Sequence, residues 1–548
     1  MSPRSSSLHT NLVGLISRNH DLTSVFFFAP LLEKCRLEET LSSAFLQLPW
    51  VIWRSESTLI LNEILGEGLL VLACLPGQRW RNALSNLSQN MRFLRQARLL
   101  IELDVGTNDL LAHQVLEFCQ SQDMINTIAI FDDFAETQTV FSFESFPKFE
   151  MLRNFFTENT QVTSLYPYKM LNLHGSKIRT MPDYSEPNTI LYKDKQGNKK
   201  ILGYLWDMLE AYARKYNAQL QIVNKGVDER PLNLKEAFDF AKNGIIDVGA
   251  SIQPMVMGRQ NRFRELSYPV DLSSWCTMLP VERDLQVSEL LARLLPLPTL
   301  LLLAVLWICY EALRGRWRHH KRLQNIGWLL MVTVLSSNYL GKLLSLLADP
   351  PSVAPIDSLA VMIESPIRIY FVSAEYTDLD FTKRTKYSAA FRLTTTSKDI
   401  IEMRNSLNTS FAYSVTSAKW KLYEEQQKRS SRPLFRYSTS PDLCFYEMFP
   451  FGLVIPENSV HRAPLHHTTL QLWQSGLYNL WMSRSFFYMV KAGKISFSNL
   501  RGLYQANTLS VMDLRKIFLM YGAGMLCSLT LFISEVIVGC VKLWLGFY

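Results

Sequence analysis

The chain has 548 residues, 48% of them hydrophobic and 19% charged, with a formal net charge of +8. That length leaves room for roughly three or four domains, and the balance is more apolar than a soluble globular chain ordinarily carries. The basic residues are scattered apart from one cluster, Arg314, Arg316, Arg318, Lys321 and Arg322, whose place between two apolar runs indicates a cytoplasmic loop rather than a nucleic-acid surface.

The first 165 residues read as a mixed α/β domain without a chemical motif or repeat. Strands are predicted over 99–103 and 127–131, with an amphipathic helix over 109–120 between them, an order that suits a small parallel sheet. Residues 1–18 carry Arg4 and only a short apolar patch at 12–16, weaker than a secretory core. Either translocation depends on another feature or the true start differs. A second α/β unit is predicted over 166–290: helices at 204–216 and 232–242, strands at 219–223 and 245–250, and an extended run at 275–281.

Three apolar runs follow. Residues 294–312 end on the basic cluster, 326–348 come next, and 517–541 lie near the end. A helix of the second run would reach about 34 Å, enough to cross a bilayer core. Pro350 and Pro351 stop it, since proline lacks the amide donor. With the basic loop inside, 294–348 form a hairpin, 349–513 lie outside, and 514–548 hold the last span and a short cytoplasmic tail. The sequons at Asn86 and Asn408 then fall outside. Segment 349–513 resumes the α/β pattern, with strands at 367–372, 411–415 and 451–455, helices at 399–406 and 418–428, and a mostly helical 465–490. Two α/β lobes joined through a hairpin make a cleft, and such clefts bind ligands.

Eight cysteines show no C-x-x-C or zinc spacing, so neither a disulfide scaffold nor a metal finger is expected. His461, His466 and His467 have no nearby Cys, Asp or Glu at ligand spacing. No G-x-S-x-G or Walker loop is present, which leaves an enzyme without a constellation. No catalytic residue, metal or cofactor is expected.

The chain resembles the ionotropic-glutamate-receptor-like proteins, and among them the divergent chemosensory ionotropic receptors of arthropods. The stretches that carry the likeness are ILGYLW at 201–206, DVGAS at 247–251, LSYP at 266–269, 275–280, 337–347, FAYSVT at 411–416 with Lys419 and Trp420, QSGL at 474–477 with Trp481, and FISE at 532–535. The resemblance covers about 166–548. It implies a membrane protein with an extracellular, periplasmic-binding-protein-like α/β clamshell of two lobes, a small N-terminal α/β domain and three transmembrane helices. It further implies a chemosensory receptor subunit of a ligand-gated cation channel complex, in the plasma membrane of a sensory neuron. Such a subunit binds an external small molecule and gates through 326–348. Its partners would be co-receptor subunits in a hetero-oligomer of tetrameric type.

Departures from the family pattern qualify that expectation. Only 313–325 separate the first two runs; thirteen residues with five Lys/Arg cannot dip into hydrocarbon and return, so the re-entrant pore loop is missing. The alternative is therefore a non-conducting subunit that binds ligand, modulates partners or assists trafficking. The ligand-clamping arginine, seven residues before Ser267, is replaced by Gln260, leaving Arg259 or Arg262 as candidates. The second lobe contributes Thr416 and Ser417 but no carboxylate in 414–418, which argues against glutamate or glycine as ligand. Cys444 is the sole cysteine between 351 and 513, so the family's second-lobe disulfide is absent or replaced. At the gate, Asn338, Tyr339, Lys342 and Leu346 share a helical face. Lys342 either snorkels to headgroups or meets the bundle axis, where like charges deter cations.

Overall fold

The computed structural model describes the chain except residues 1–2, 19–21, 31–34, 46–47, 158, 224–230, 233, 256–263, 286–300, 302–304, 307, 311, 313–320, 349–350, 378, 429–432, 496–514 and 545–548. Two seven-stranded sheets dominate it. The first holds β1 (Ser24–Phe28), β2 (Trp50–Trp53), β3 (Leu69–Leu75), β4 (Arg98–Leu103), β5 (Thr127–Phe131), β6 (Thr139–Glu144) and β7 (Glu150–Phe155), in the order β2-β1-β3-β4-β5-β6-β7. Its first five strands pair in parallel and β6 and β7 close one edge antiparallel. β3 and β5 are buried at every position, as strands covered on both faces must be. The expected helix spans Asp109–Ser121, its start fixed by Asn108, whose Oδ1 accepts from the amides of Leu110 and Leu111 at 3.0 and 3.1 Å.

Four short strands open the next unit: β8 (Lys177–Thr180), β9 (Ile190–Lys193), β10 (Lys199–Leu202) and β11 (Gln219–Ile222), in two pairs. The second large sheet follows, with β12 (Ile252–Pro254), β13 (Leu266–Pro280), β14 (Ile369–Val372), β15 (Phe391–Thr394), β16 (Ala412–Thr416), β17 (Phe435–Tyr437) and β18 (Cys444–Val454). The order is β12-β18-β13-β16-β14-β15, with β17 also on β13. β12 and β13 precede the first two apolar runs in sequence and the other five follow those two runs. The two halves of the chain therefore share one sheet.

The 15-residue β13 and 11-residue β18 are much longer than the fragments expected at 275–281 and 451–455. Pro269 lies inside β13 with a register slip on either side, which accommodates a residue that cannot donate, and Pro450 lies inside β18 opposite Leu272. The apolar run at 245–250, expected as a strand, is not one. Its amides bond singly, Val248 to Arg179, Gly249 to Val454 and Ala250 to Met181, and Ala250 makes an isolated bridge to Pro182.

Hydrophobic cores also cross the halves. Leu205, Leu209 and Tyr212 pack with Leu453, Leu465 and Leu472, while Ile190 and Met278 pack with Tyr413, Val415, Phe486 and Met489. Cys444 finds its partner outside its own segment: Cys276 of β13, its register neighbour, is disulfide-bonded to it. A second disulfide joins Cys35 to Cys74. Both pairs were illegible in spacing because 39 and 168 residues separate the partners.

Helices Lys321–Ala348 (28 residues) and Arg515–Trp544 (30 residues) are long and apolar enough to cross a membrane. None of their most apolar stretches is buried among the described residues. The expected first span, 294–312, lies mostly outside the described residues, as does most of the basic cluster. Among its described residues, Tyr310 stacks on Trp328 of the long helix at 4.3 Å, and its hydroxyl donates to Asn325 at 3.2 Å.

Candidate functional site

Where the two halves meet over the second sheet, they enclose a cavity of about 270 Å³. One wall comes from residues preceding the apolar runs, including Asp183, Ser185, Asn188, Tyr204, Asp271 and Trp275. The facing wall comes from residues following them: Arg404, Ser414, Thr416 and Lys419, with Tyr446, Phe449 and Phe451 of β18 contributing aromatic surface.

The first wall is organised around Asp183, which is 4% exposed. Its carboxylate accepts from the amide of Ser185 (3.0 Å), the hydroxyl of Thr189 (2.6 Å) and Nδ2 of Asn188 (2.8 Å). Asn188 in turn accepts the Tyr204 hydroxyl at 2.9 Å. Burial raises the pKa of Asp183 against these three donors. Asp271, also buried, is pushed up by burial to about 6.

The second wall is set by the start of helix Ser417–Gln427. Thr416 is its cap, with Oγ1 accepting from the amide of Lys419 at 3.3 Å. Ser417 faces β13: its hydroxyl lies 2.7 Å from that of Ser273 and accepts from the amide of Ser274 at 3.2 Å. Lys419 crosses the cavity to donate to Ser185 Oγ at 2.9 Å. Burial, and then the nearby Arg404 guanidinium, bring its ammonium down to about 8. Arg404 donates Nε to the Tyr423 hydroxyl (2.7 Å) and Nη1 to the Ser414 carbonyl (3.3 Å). Nearby, Glu186 accepts from Asn405 at 2.8 Å and pairs with Lys494 at 3.1 Å, a further tie between the halves.

Thr416 lines the cavity, whereas Ser417 is engaged with β13 and does not. Arg259 and Arg262 lie outside the described residues. Arg404 and Lys419 were not proposed as ligand-binding residues from sequence. Lys419 stood in a stretch carrying the family likeness, but Arg404 offered no signal beyond its place on a helix. Asn338 and Lys342 are exposed on helix Lys321–Ala348, with Tyr339 and Leu346 half-buried. Asn86 is half-buried on helix Trp80–Asn90, and Asn408 is half-buried after helix Ser397–Asn405.

The connections leading into and out of the apolar segment run side by side. The amide of Leu285 donates to Pro351 (3.0 Å), and that of Val353 donates to Arg283 (3.1 Å). Glu282 is held by Arg436 through Nε at 3.0 Å and also accepts the amide of Ile356 at 3.3 Å. The end of β13 is thereby fastened to the chain that leaves the long helix. The chain matches no protein-family model and no characterised protein at a significant level.

Proposed function

We propose that this protein is a receptor subunit of ligand-gated-channel type, in which two lobes close as a clamshell on an external small molecule and act on the helix through 326–348. The observation that carries the reading is the shared cavity: its walls come from chain on either side of the apolar segment, and the residues flanking that segment, 283–285 and 351–353, are hydrogen-bonded to each other. Movement of one wall relative to the other would be felt where Leu285 and Pro351 meet. A chemosensory role in the plasma membrane of a sensory neuron, in a hetero-oligomer with co-receptor subunits, extends the reading from the family resemblance. Disulfides at Cys35–Cys74 and Cys276–Cys444 support an oxidising, external setting for both units.

The short basic stretch 313–325 favours a second reading, a non-conducting subunit that binds ligand and modulates or delivers its partners. One experiment separates the two: current and surface delivery are recorded together in cells expressing candidate co-receptor subunits with and without this chain. Evoked cation current that requires the chain, and that Lys342→Ala increases or changes in selectivity, supports the channel reading. Altered partner delivery without any change in current properties supports the modulatory one. No effect on either removes both.

A further inference from the structure

We infer that the Cys35–Cys74 disulfide of the N-terminal domain is a thiol-exchange site that accepts an electron pair from a small dithiol, with Glu102 as proton donor to the departing sulfur; this activity is independent of the cavity between the lobes. Three elements converge there. Cys74 lies on β3 and Glu102 on the neighbouring β4, opposite each other in register, while Cys35 starts helix Arg36–Ala44. Glu102 Oε2 lies 3.2 Å from Sγ of Cys35 and 4.0 Å from Sγ of Cys74, so one carboxyl oxygen reaches both sulfurs. The same oxygen accepts the amide of Leu37 at 3.1 Å, which fixes the carboxyl in place. At 5% exposure its burial raises it to about 7, so that near neutral pH it has a proton to give. From helix Pro3–Ser17, His9 Nε2 faces the other carboxyl oxygen at 3.7 Å. Asp132, Asp104 and Arg36 act from farther off, Arg36 being paired to Asp132 at 3.1 Å.

Access to the two sulfurs is unequal. Cys35 is half-buried and Cys74 is 1% exposed, so an incoming thiolate meets Cys35. Attack there forms a mixed disulfide with Cys35 and breaks the Cys35–Cys74 bond, whose electron pair leaves on Cys74. A buried thiolate is costly, and Glu102 passes its proton to Cys74 as the bond breaks. The reductant's second thiol then gives its proton to the Glu102 carboxylate and attacks its own sulfur in the mixed disulfide. Cys35 departs as a thiolate at the helix N-terminus, where the charge is stabilised, and takes a proton from solvent. The dithiol ends as a disulfide, the protein holds two thiols, and Glu102 has its proton back. Cys276–Cys444 lacks these features. Both its cysteines are buried, Cys444 Sγ faces the Ser438 carbonyl, and among the described residues no carboxylate gathers with the pair.

The test uses the full chain in phosphatidylcholine nanodiscs with dithiothreitol as the probe, quenched by alkylation, each cysteine being read by mass spectrometry. Cys35 and Cys74 should become alkylated about tenfold faster than Cys276 and Cys444, or more. Divided by the probe's thiolate concentration, the opening rate of the parent should fall from about pH 5.5 to about pH 8.5, as Glu102 loses its proton. Glu102→Gln should slow opening by about tenfold or more at about pH 6 and level that profile. A merely structural Glu102 would leave the profile's shape unchanged. Should Glu102→Gln fail to fold, the slope in the parent carries the test. Mercaptoethanol, a monothiol, should stall as an adduct on Cys35. Equal opening of the two disulfides, a level profile in the parent, a slope that survives in Glu102→Gln, or an adduct on Cys74 overturns the inference.

Discussion

His461 illustrates how a single side chain can be visible in sequence and still be misjudged in kind. In the sequence it could be weighed only as a metal ligand. In the fold it is 6% exposed, with Nδ1 at 2.8 Å from the Tyr212 hydroxyl, inside the core shared by the two halves. Burial lowers its pKa to about 4, whereas an unfolded histidine titrates near 6.5. Between those values the unfolded chain binds a proton that the folded chain does not. Its stabilising contribution is therefore complete above about pH 6.5 and disappears as the pH falls toward 4, a loss on the order of 3 kcal/mol. Asp271 and Glu102, raised by burial to about 6 and about 7, work in the opposite sense and gain stability on acidification. The contrast with His461→Gln isolates the histidine: the variant should lose less stability than the parent between pH 6.5 and 4 in thermal unfolding. Equal losses would show that His461 takes up its proton in the folded state.

At the scale of elements, local pattern served where strands and helices are short and regular, and failed where tertiary context decides. Residues 127–131 form the expected strand, and the helix expected at 204–216 runs Tyr204–Lys215. β13 and β18 escaped because prolines inside them look like strand breakers, and the run at 245–250 misled because burial alone makes a segment apolar. Gly203, just before helix Tyr204–Lys215, has φ +128°. A Cβ there would collide with the backbone carbonyl of Asn188, whose side chain supports the Asp183 network. Gly203→Ala should therefore cost about 2 kcal/mol or more, while Gly197→Ala, at φ +86° but with open space around it, should cost about 1 kcal/mol. Matching losses in thermal unfolding would mean that the Asn188 carbonyl yields easily and that the turn is not fixed.

Across the whole molecule, the sequence disclosed α/β units on both sides of an apolar segment but not how they interlock. That a single sheet and several cores draw on both halves depends on pairings such as Cys276 with Cys444 and Met278 with Tyr413, which no local window contains. Arg404 and Lys419 come together in the wall of the cavity only in three dimensions, which no local pattern discloses. The central claim is that both walls of this cavity face outward while the basic stretch before helix Lys321–Ala348 faces inward. Membrane sidedness tests it most directly, by antibody access in intact cells to epitopes at Gly197 and at Gly315, together with glycosidase sensitivity at Asn408. The account predicts that the Gly197 epitope and the Asn408 sugar are accessible and that the Gly315 epitope is reached only after permeabilisation. An accessible Gly315 with a protected Gly197, or walls on opposite sides of the membrane, would contradict it.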